Sequence, residues 1–176
     1  NPYTKFKVSG ELAKGRNGSS FRANAIIDKL NLKAINISDK WGDADFRGNI
    51  YADIKGTNIS NAQGVIQIRD FAYSTPDRQI ELSKLVLDSH FENKEQVITL
   101  NSDFANIRIN GQFDIKSLSN SALNQLVSKI PAIPGLTSGK SQAKNRIQFY
   151  GEIKNSDLIE AIGGIPLHVV KPITVV

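Results

Sequence analysis

Ile107-Arg108-Ile109-Asn110-Gly111-Gln112-Phe113-Asp114-Ile115 alternates strictly between small or apolar residues and polar ones. Ile107, Ile109, Gly111, Phe113 and Ile115 share one parity, and Arg108, Asn110, Gln112 and Asp114 share the other. Successive side chains of a strand point to opposite faces, so this stretch predicts a strand with one apolar and one wet face. Such strands belong to antiparallel sheets, because parallel strands are covered on both sides and read as continuous apolar runs.

The same alternation extends in both directions. Upstream it runs through Phe6, Val8, Gly10 and Leu12, then Phe21, Ala23, Ala25 and Ile27, then Phe46, Gly48, Ile50, Ala52 and Ile54. Ile66 and Ile68 follow, then Leu85, Leu87, Ser89 and Phe91, then Ile98, Leu100, Ser102 and Phe104. Downstream come Ile147, Phe149, Gly151 and Ile153, and a tail of Leu167, Val169, Ile173 and Val175. Asn17-Gly18, Lys55-Gly56, Asn61-Ala62-Gln63-Gly64 and Ser74-Thr75-Pro76-Asp77 are turn chemistry between runs. The runs recur roughly every 10 to 15 residues, the rhythm of a meander. Gly10, Gly48, Gly111 and Gly151 sit inside strands on the apolar parity, which marks bends, bulges or close approach and predicts a curved sheet.

Two segments break the period. Leu118, Ala122, Leu126 and Ile130 form an i+4 column flanked by Leu123 and Val127, which predicts an amphipathic helix over 117–130. Ser117 or Ser119 caps it and Pro131 ends it. A Pro-, Gly- and Ser-rich connection over 131–146 follows. Asp157 and Glu160 form a capping box that opens a short helix, which Gly163-Gly164 closes. The expected class is mainly β: a curved, largely antiparallel sheet with one amphipathic and one short helix.

The chain has 176 residues, 40% hydrophobic and 22% charged, which is apolar enough for a core and argues against wholesale disorder. It starts at Asn1 and contains no Met, so it is expected to be a piece of a longer protein, with 165–176 opening the next stretch. The absence of Cys excludes a disulfide scaffold, thiolate metal sites and a Cys nucleophile. A net charge of +5 is too mild for a dedicated nucleic-acid binder. Lys129, Lys140 and Lys144 lie in an acid-free stretch between Lys116 and Arg146. That stretch reads as a solvated helix face with a basic loop, or as a contact for phospholipid headgroups or an acidic partner. No apolar run reaches the ~18 residues that span a membrane.

No catalytic constellation is visible, and an enzyme is not expected. His90 and His168 both fall on polar strand parity. Gly135-Leu136-Thr137-Ser138-Gly139 is not a nucleophile elbow, since its spacing differs and it follows a Pro-rich loop. Asp43-Ala44-Asp45 puts two carboxylates together without the remaining ligands of a calcium loop, so a solvated face is expected and no metal or other cofactor. Trp41 reads as an aromatic packed on the sheet rim.

What remains is the apolar face, which one amphipathic helix is too small to cover. Either a second sheet packs on it, or the sheet folds along its length and faces itself. A self-facing sheet encloses a dry concave space suited to acyl chains. By parity, Leu85, Leu87, Ile98, Leu100, Ile107, Ile109, Phe113 and Ile115 are the candidate lining residues, with an ordinary sandwich core as the alternative role. A β-sandwich adhesin or glycan-binding module is the second functional reading.

Leu100-Asn101-Ser102-Asp103-Phe104, then Ile107 to Asp114, then the Leu118 helix ending at Pro131, resembles the repeating unit of TamB proteins. These are AsmA-like translocation and assembly modules, and the Asn-, Ile- and Lys-rich composition is closest to the Bacteroidetes type. The resemblance covers about 62–131, including Ile66 to Tyr73 and Ile80 to Leu87, and is weaker at Phe149-Tyr150-Gly151-Glu152-Ile153. It implies that residues 1–176 are one segment of a larger β-groove protein, folded into an elongated apolar (β-taco-like) groove. It further implies a periplasmic location in a parent anchored in the inner membrane, and phospholipid acyl chains as cargo. Help with outer-membrane protein assembly is implied too, with a BamA-like barrel as partner through other parts of the parent, and no catalytic residues.

Overall fold

A computed structural model describes residues 2–16, 18–112, 146–155 and 173–175. Among the described residues, nine strands form one antiparallel sheet in chain order. They are β1 (Thr4–Gly15), β2 (Gly18–Asn31), β3 (Asp45–Gly56), β4 (Gln63–Ser74), β5 (Gln79–Glu92), β6 (Glu95–Ser102), β7 (Ala105–Gln112), β8 (Arg146–Ile153) and β9 (Ile173–Val175). Each strand pairs with the next, and β1 and β9 are the outermost of the described strands. The sheet is therefore open. Close contacts run between sheet neighbours, and no second layer is present among the described residues.

Both expected helices, over 117–130 and 157–162, lie outside the described residues, as do Phe113, Ile115, His168 and most of the 131–146 connection. Among the described residues the only helical turn is a 3-10 turn at Ile59–Asn61. Here Asn61 Oδ1 accepts from the backbone N–H groups of Thr57 (2.9 Å) and Asn58 (3.0 Å).

The hairpins follow local chemistry. Gly15 pairs with Gly18. Thr75 closes its turn twice, through its own N–H to the Arg78 carbonyl (2.8 Å) and through Oγ1, which accepts from the Arg78 N–H (3.1 Å). Between β5 and β6, Asn93 (φ 48°) and Lys94 (φ 68°) both take left-handed conformations. That is the two-residue turn whose twist matches paired strands. No glycine announces it, so it is illegible as a turn until the pairing of Glu92 with Glu95 is seen.

The alternation predicted Phe104 as part of a strand. Instead, β6 ends at Ser102 and the chain turns through Asp103 and Phe104. Ser102, only 9% exposed, holds this turn: its Oγ donates to the Ala105 carbonyl (2.9 Å) and accepts from the Ala105 N–H (3.0 Å). Asp103 Oδ2 accepts from the backbone N–H groups of Ser83 (2.6 Å) and Lys84 (3.3 Å), where β5 has run past the end of β6.

The sheet's irregularities line up across the strands. β2 shifts register between Ile27 and Leu30. β3 and β4 shift between Arg47 and Asn49, where Asp70 (φ 51°) is the extra residue. Of the four mid-strand glycines, Gly48 alone sits at a shift. Gly151 marks a close approach instead, since a Cβ there would lie 2.7 Å from the Phe149 ring.

Ser102→Ala deletes both of its bonds and leaves the buried Ala105 N–H without a partner. The expected loss is about 1–3 kcal/mol in urea unfolding with an unchanged m-value, whereas Ser102→Thr keeps the hydroxyl and loses less.

Candidate apolar site

Antiparallel pairing carries one parity across the whole sheet. Gly10, Ala23, Ala52, Ile66, Leu87, Leu100, Ile107, Gly151 and Val175 stand opposite one another in consecutive strands. A second row runs through Leu12, Phe21, Ile54, Gly64, Ser89, Ile98, Ile109 and Phe149. A third, through Val8, Ala25, Ile50, Ile68 and Leu85, ends at Ser102.

Six of the residues expected to line an apolar surface therefore meet on one face. Leu87, Leu100 and Ile107 are adjacent in one row, Ile98 and Ile109 in the next, and Leu85 flanks Leu87 on β5. Ile109 is nearly buried at 8% exposure, while the other five are half-buried. Toward the β1 edge the face opens, with Phe6, Val8 and Leu12 more than half exposed.

Within this face lies a hollow of about 300 Å³, lined by Ile54, Ala62, Gln63, Gly64, Ile66, Leu87, Ser89 and Ile98. It exists because Gly64 and Ser89 stand where neighbouring positions of the row carry Ile. Ser89, one of its polar lining residues, is already engaged. Ser89 Oγ donates to the Ala62 carbonyl (2.8 Å), and Gln96 Nε2 donates to Ser89 Oγ (3.1 Å). Gln96 itself is 3% exposed. The hollow thus offers shape and a mainly apolar surface, with the Ser89 hydroxyl committed to the Ala62 carbonyl. Parity alone did not single out Ile54 or Ile66 as lining residues, because their convergence with β5 and β6 depends on register.

Beyond the register shifts, one end of the same face is capped by aromatic residues. Trp41, in the connection from β2 to β3, meets Phe46 edge-on at 5.9 Å between ring centroids. Phe46 also packs near Phe71 (6.3 Å) and Tyr73 (5.4 Å). Lys40 Nζ lies 4.7 Å from the centre of the Trp41 ring. Asn31 anchors this connection, accepting from the Ala34 N–H (2.9 Å) and donating to Asp45 (3.3 Å). Asp43 and Asp45, read as a carboxylate pair, have separate partners, Lys33 at 3.1 Å and Lys29 at 3.2 Å. No group of three or more His, Asp or Glu among the described residues could hold a metal ion.

The opposite face is a polar lattice. Arg22 meets Asp53 at 2.9 Å, Asn110 donates to Gln148 (2.8 Å), and Arg47 reaches Glu81 (2.7 Å) across β4, over Ala72, which is 1% exposed. His90 lies between Asp88 (2.5 Å) and Glu92 (2.9 Å), and Glu92 also meets Arg108 (3.3 Å) across β6. Hydrogen bonds to Glu92 and then Asp88 raise the imidazole above its ordinary 6.5. The bond from His90 is the main reason that Glu92 falls below 4.5.

No helix among the described residues is long and apolar enough to cross a membrane. No family model, curated protein or solved structure matches the chain. The class defined by its own geometry is an open antiparallel meander with one apolar and one polar face.

Because His90 is raised on folding, its contribution to stability is complete below pH 6.5 and fades as pH climbs through the folded value. Glu92 is lowered, so its contribution is complete above pH 4.5 and fades on acidification. The melting-temperature difference between the native chain and His90→Gln is expected to peak between these values. The His90 midpoint seen by NMR is expected above 6.5 and lower in Glu92→Gln. A separate change, Gly64→Ala, forces an L side chain to φ +135° with its Cβ 1.9 Å from the Asp53 carbonyl. It should cost at least about 1–3 kcal/mol of unfolding free energy.

Proposed function

We propose that this chain is a non-catalytic module that carries phospholipid along its apolar face, as one segment of a longer TamB-type protein. The parent would span the periplasm from an inner-membrane anchor and move lipid toward the outer membrane, or assist the assembly of outer-membrane proteins. The observation that carries this reading is the row from Gly10 to Val175, which keeps one parity through every strand. At about 4.8 Å per strand, such a row extends on the order of 40 Å. It supplies a continuous apolar path without a fixed polar recognition group, which suits a cargo whose acyl chains slide and whose headgroup stays in water. Folding of the sheet into a taco-like groove would bring the two halves of this face together and shield the chains. The adhesin reading gains nothing from Trp41, whose edge packs on Phe46.

A photo-crosslinking residue at Leu87 should capture phospholipid from native membranes, identified by mass spectrometry, while one at Gln67 on the other face should not. Leu87→Arg should abolish capture by a crosslinker at Ile66 and leave the β circular dichroism spectrum intact. Leu87 is the better position for this change than Ile109, because an Arg at the nearly buried Ile109 threatens the fold itself. Equal capture on both faces, or none on either, sinks the proposal.

A further inference from the structure

Lys5, Arg22, Lys29, Lys33, Arg47 and Arg108 each meet a carboxylate. Lys14, Arg16 and Lys55 have no carboxylate partner among the described residues, and all three line one recess of about 490 Å³. It lies where β1 and β3 end and β2 and β4 begin. Ser19, Ser20 and Gln63 also line it, and no Asp or Glu does. The two nearest acids in register are turned to Arg22: Asp53 binds it at 2.9 Å, and Glu11 stands opposite it. The frame is fixed. Gly18, at φ 131°, lets β2 meet β3 so closely that a Cβ there would lie 2.9 Å from the Gly56 carbonyl oxygen. Asn61 ties down the chain just past Gly56 through the Thr57 and Asn58 N–H groups. Three cations held together repel one another, and an anion among them relieves that cost.

We propose that this recess holds the phosphate of a phospholipid whose acyl chains lie on the apolar face; the proposal rests on the lipid reading above. Arg and Lys bind phosphate oxygens through charge-assisted hydrogen bonds, Arg as a fork and Lys as a point charge. Position selects a lipid over a free phosphate. Lys14 continues the parity of Val8, Gly10 and Leu12, and Ser19 that of Phe21. Lys14, Ser19 and Gly56 stand opposite one another in the row next to Leu12, Phe21 and Ile54. Ser20, Lys55 and Gln63 have the parity of the polar face. The recess therefore turns around the rim where apolar surface meets water, beyond the apolar path and not on it. An amphiphile with its chains on Leu12 and Phe21 puts its phosphate at that rim. Gln63 also lines the 300 Å³ hollow, so the basic recess and the apolar hollow share a border.

The 176-residue chain with a benzophenone side chain at Phe21, which is 44% exposed, should crosslink to phosphatidylglycerol in mixed phosphatidylglycerol–phosphatidylcholine vesicles. Lys14→Gln, Arg16→Gln and Lys55→Gln together should lower that capture about fivefold or more, as the loss of three charged contacts predicts. Lys7→Gln, Lys84→Gln and Lys94→Gln remove the same charge from exposed positions elsewhere and should leave capture within about twofold. A crosslinker at Leu87 supplied with diacylglycerol, which has no phosphate, should give equal yields in the native chain and in the first triple variant. Inorganic phosphate at the lipid's own concentration should not compete; full displacement there assigns the recess to free phosphate and overturns the lipid source. Equal losses from the two triple changes reduce the effect to net charge and overturn the site. No lipid at either Phe21 or Leu87 fails the lipid reading and this site with it, whereas capture at Leu87 with an unchanged yield at Phe21 in the first triple variant fails the site alone.

Discussion

Everything in this sheet depends on keeping parity from strand to strand. Antiparallel pairing sets each side chain opposite one of its own face, and a slip of a single residue would send a whole strand's apolar set into water. The extra residues therefore have to be matched. Between Ile27 and Leu30, β2 carries two polar residues in succession, Asp28 and Lys29. β4 does the same with Arg69 and Asp70 between Ile68 and Phe71, and β5 with Ser83 and Lys84 between Leu82 and Leu85. In each case the apolar residues on both sides keep the same face. Polar bonds hold the crease: Lys5 to Asp28, Asn49 to Asp70, and Asp103 to the N–H groups of Ser83 and Lys84.

Burial is distributed in an unusual way. Val97 is the largest side chain that is almost fully enclosed among the described residues, and by register it belongs to the polar face, between His90 and Asn110. Ala72, equally enclosed, lies beneath the Arg47–Glu81 pair. Long polar side chains bridging neighbouring strands cover small apolar residues there, with their own charged ends in water. The large Ile, Leu and Phe side chains of the apolar face are mostly half-buried by one another. Among the described residues the sheet is a single layer, which shields a side chain only from the flanks.

The candidate surface was legible in part for the same reason. Leu85, Leu87, Ile98, Leu100, Ile107 and Ile109 were assigned to one face by alternation, and the ladders place them there. The hollow was not legible, because it arises where Gly64 of β4 and Ser89 of β5 become opposite neighbours. The aromatic cap was equally hidden. Trp41 and Phe46 are close in sequence, but Phe71 and Tyr73 reach them only through the pairing of β3 with β4. The Asn93-Lys94 turn escaped notice because neither residue is glycine, while Asn61 and Thr75 acted as turn residues where their chemistry predicted it.

From its sequence alone this protein is a chain of half-wet strands joined by short turns, since a two-residue period and turn chemistry are local properties written into consecutive side chains. Tertiary structure decided which residue opposes which, where the extra residues are absorbed, and where the apolar face sinks into a hollow. Those features come from the hydrogen-bond ladders between strands. A ladder answers to the partner strand as much as to its own sequence, and so appears only when the strands are set side by side.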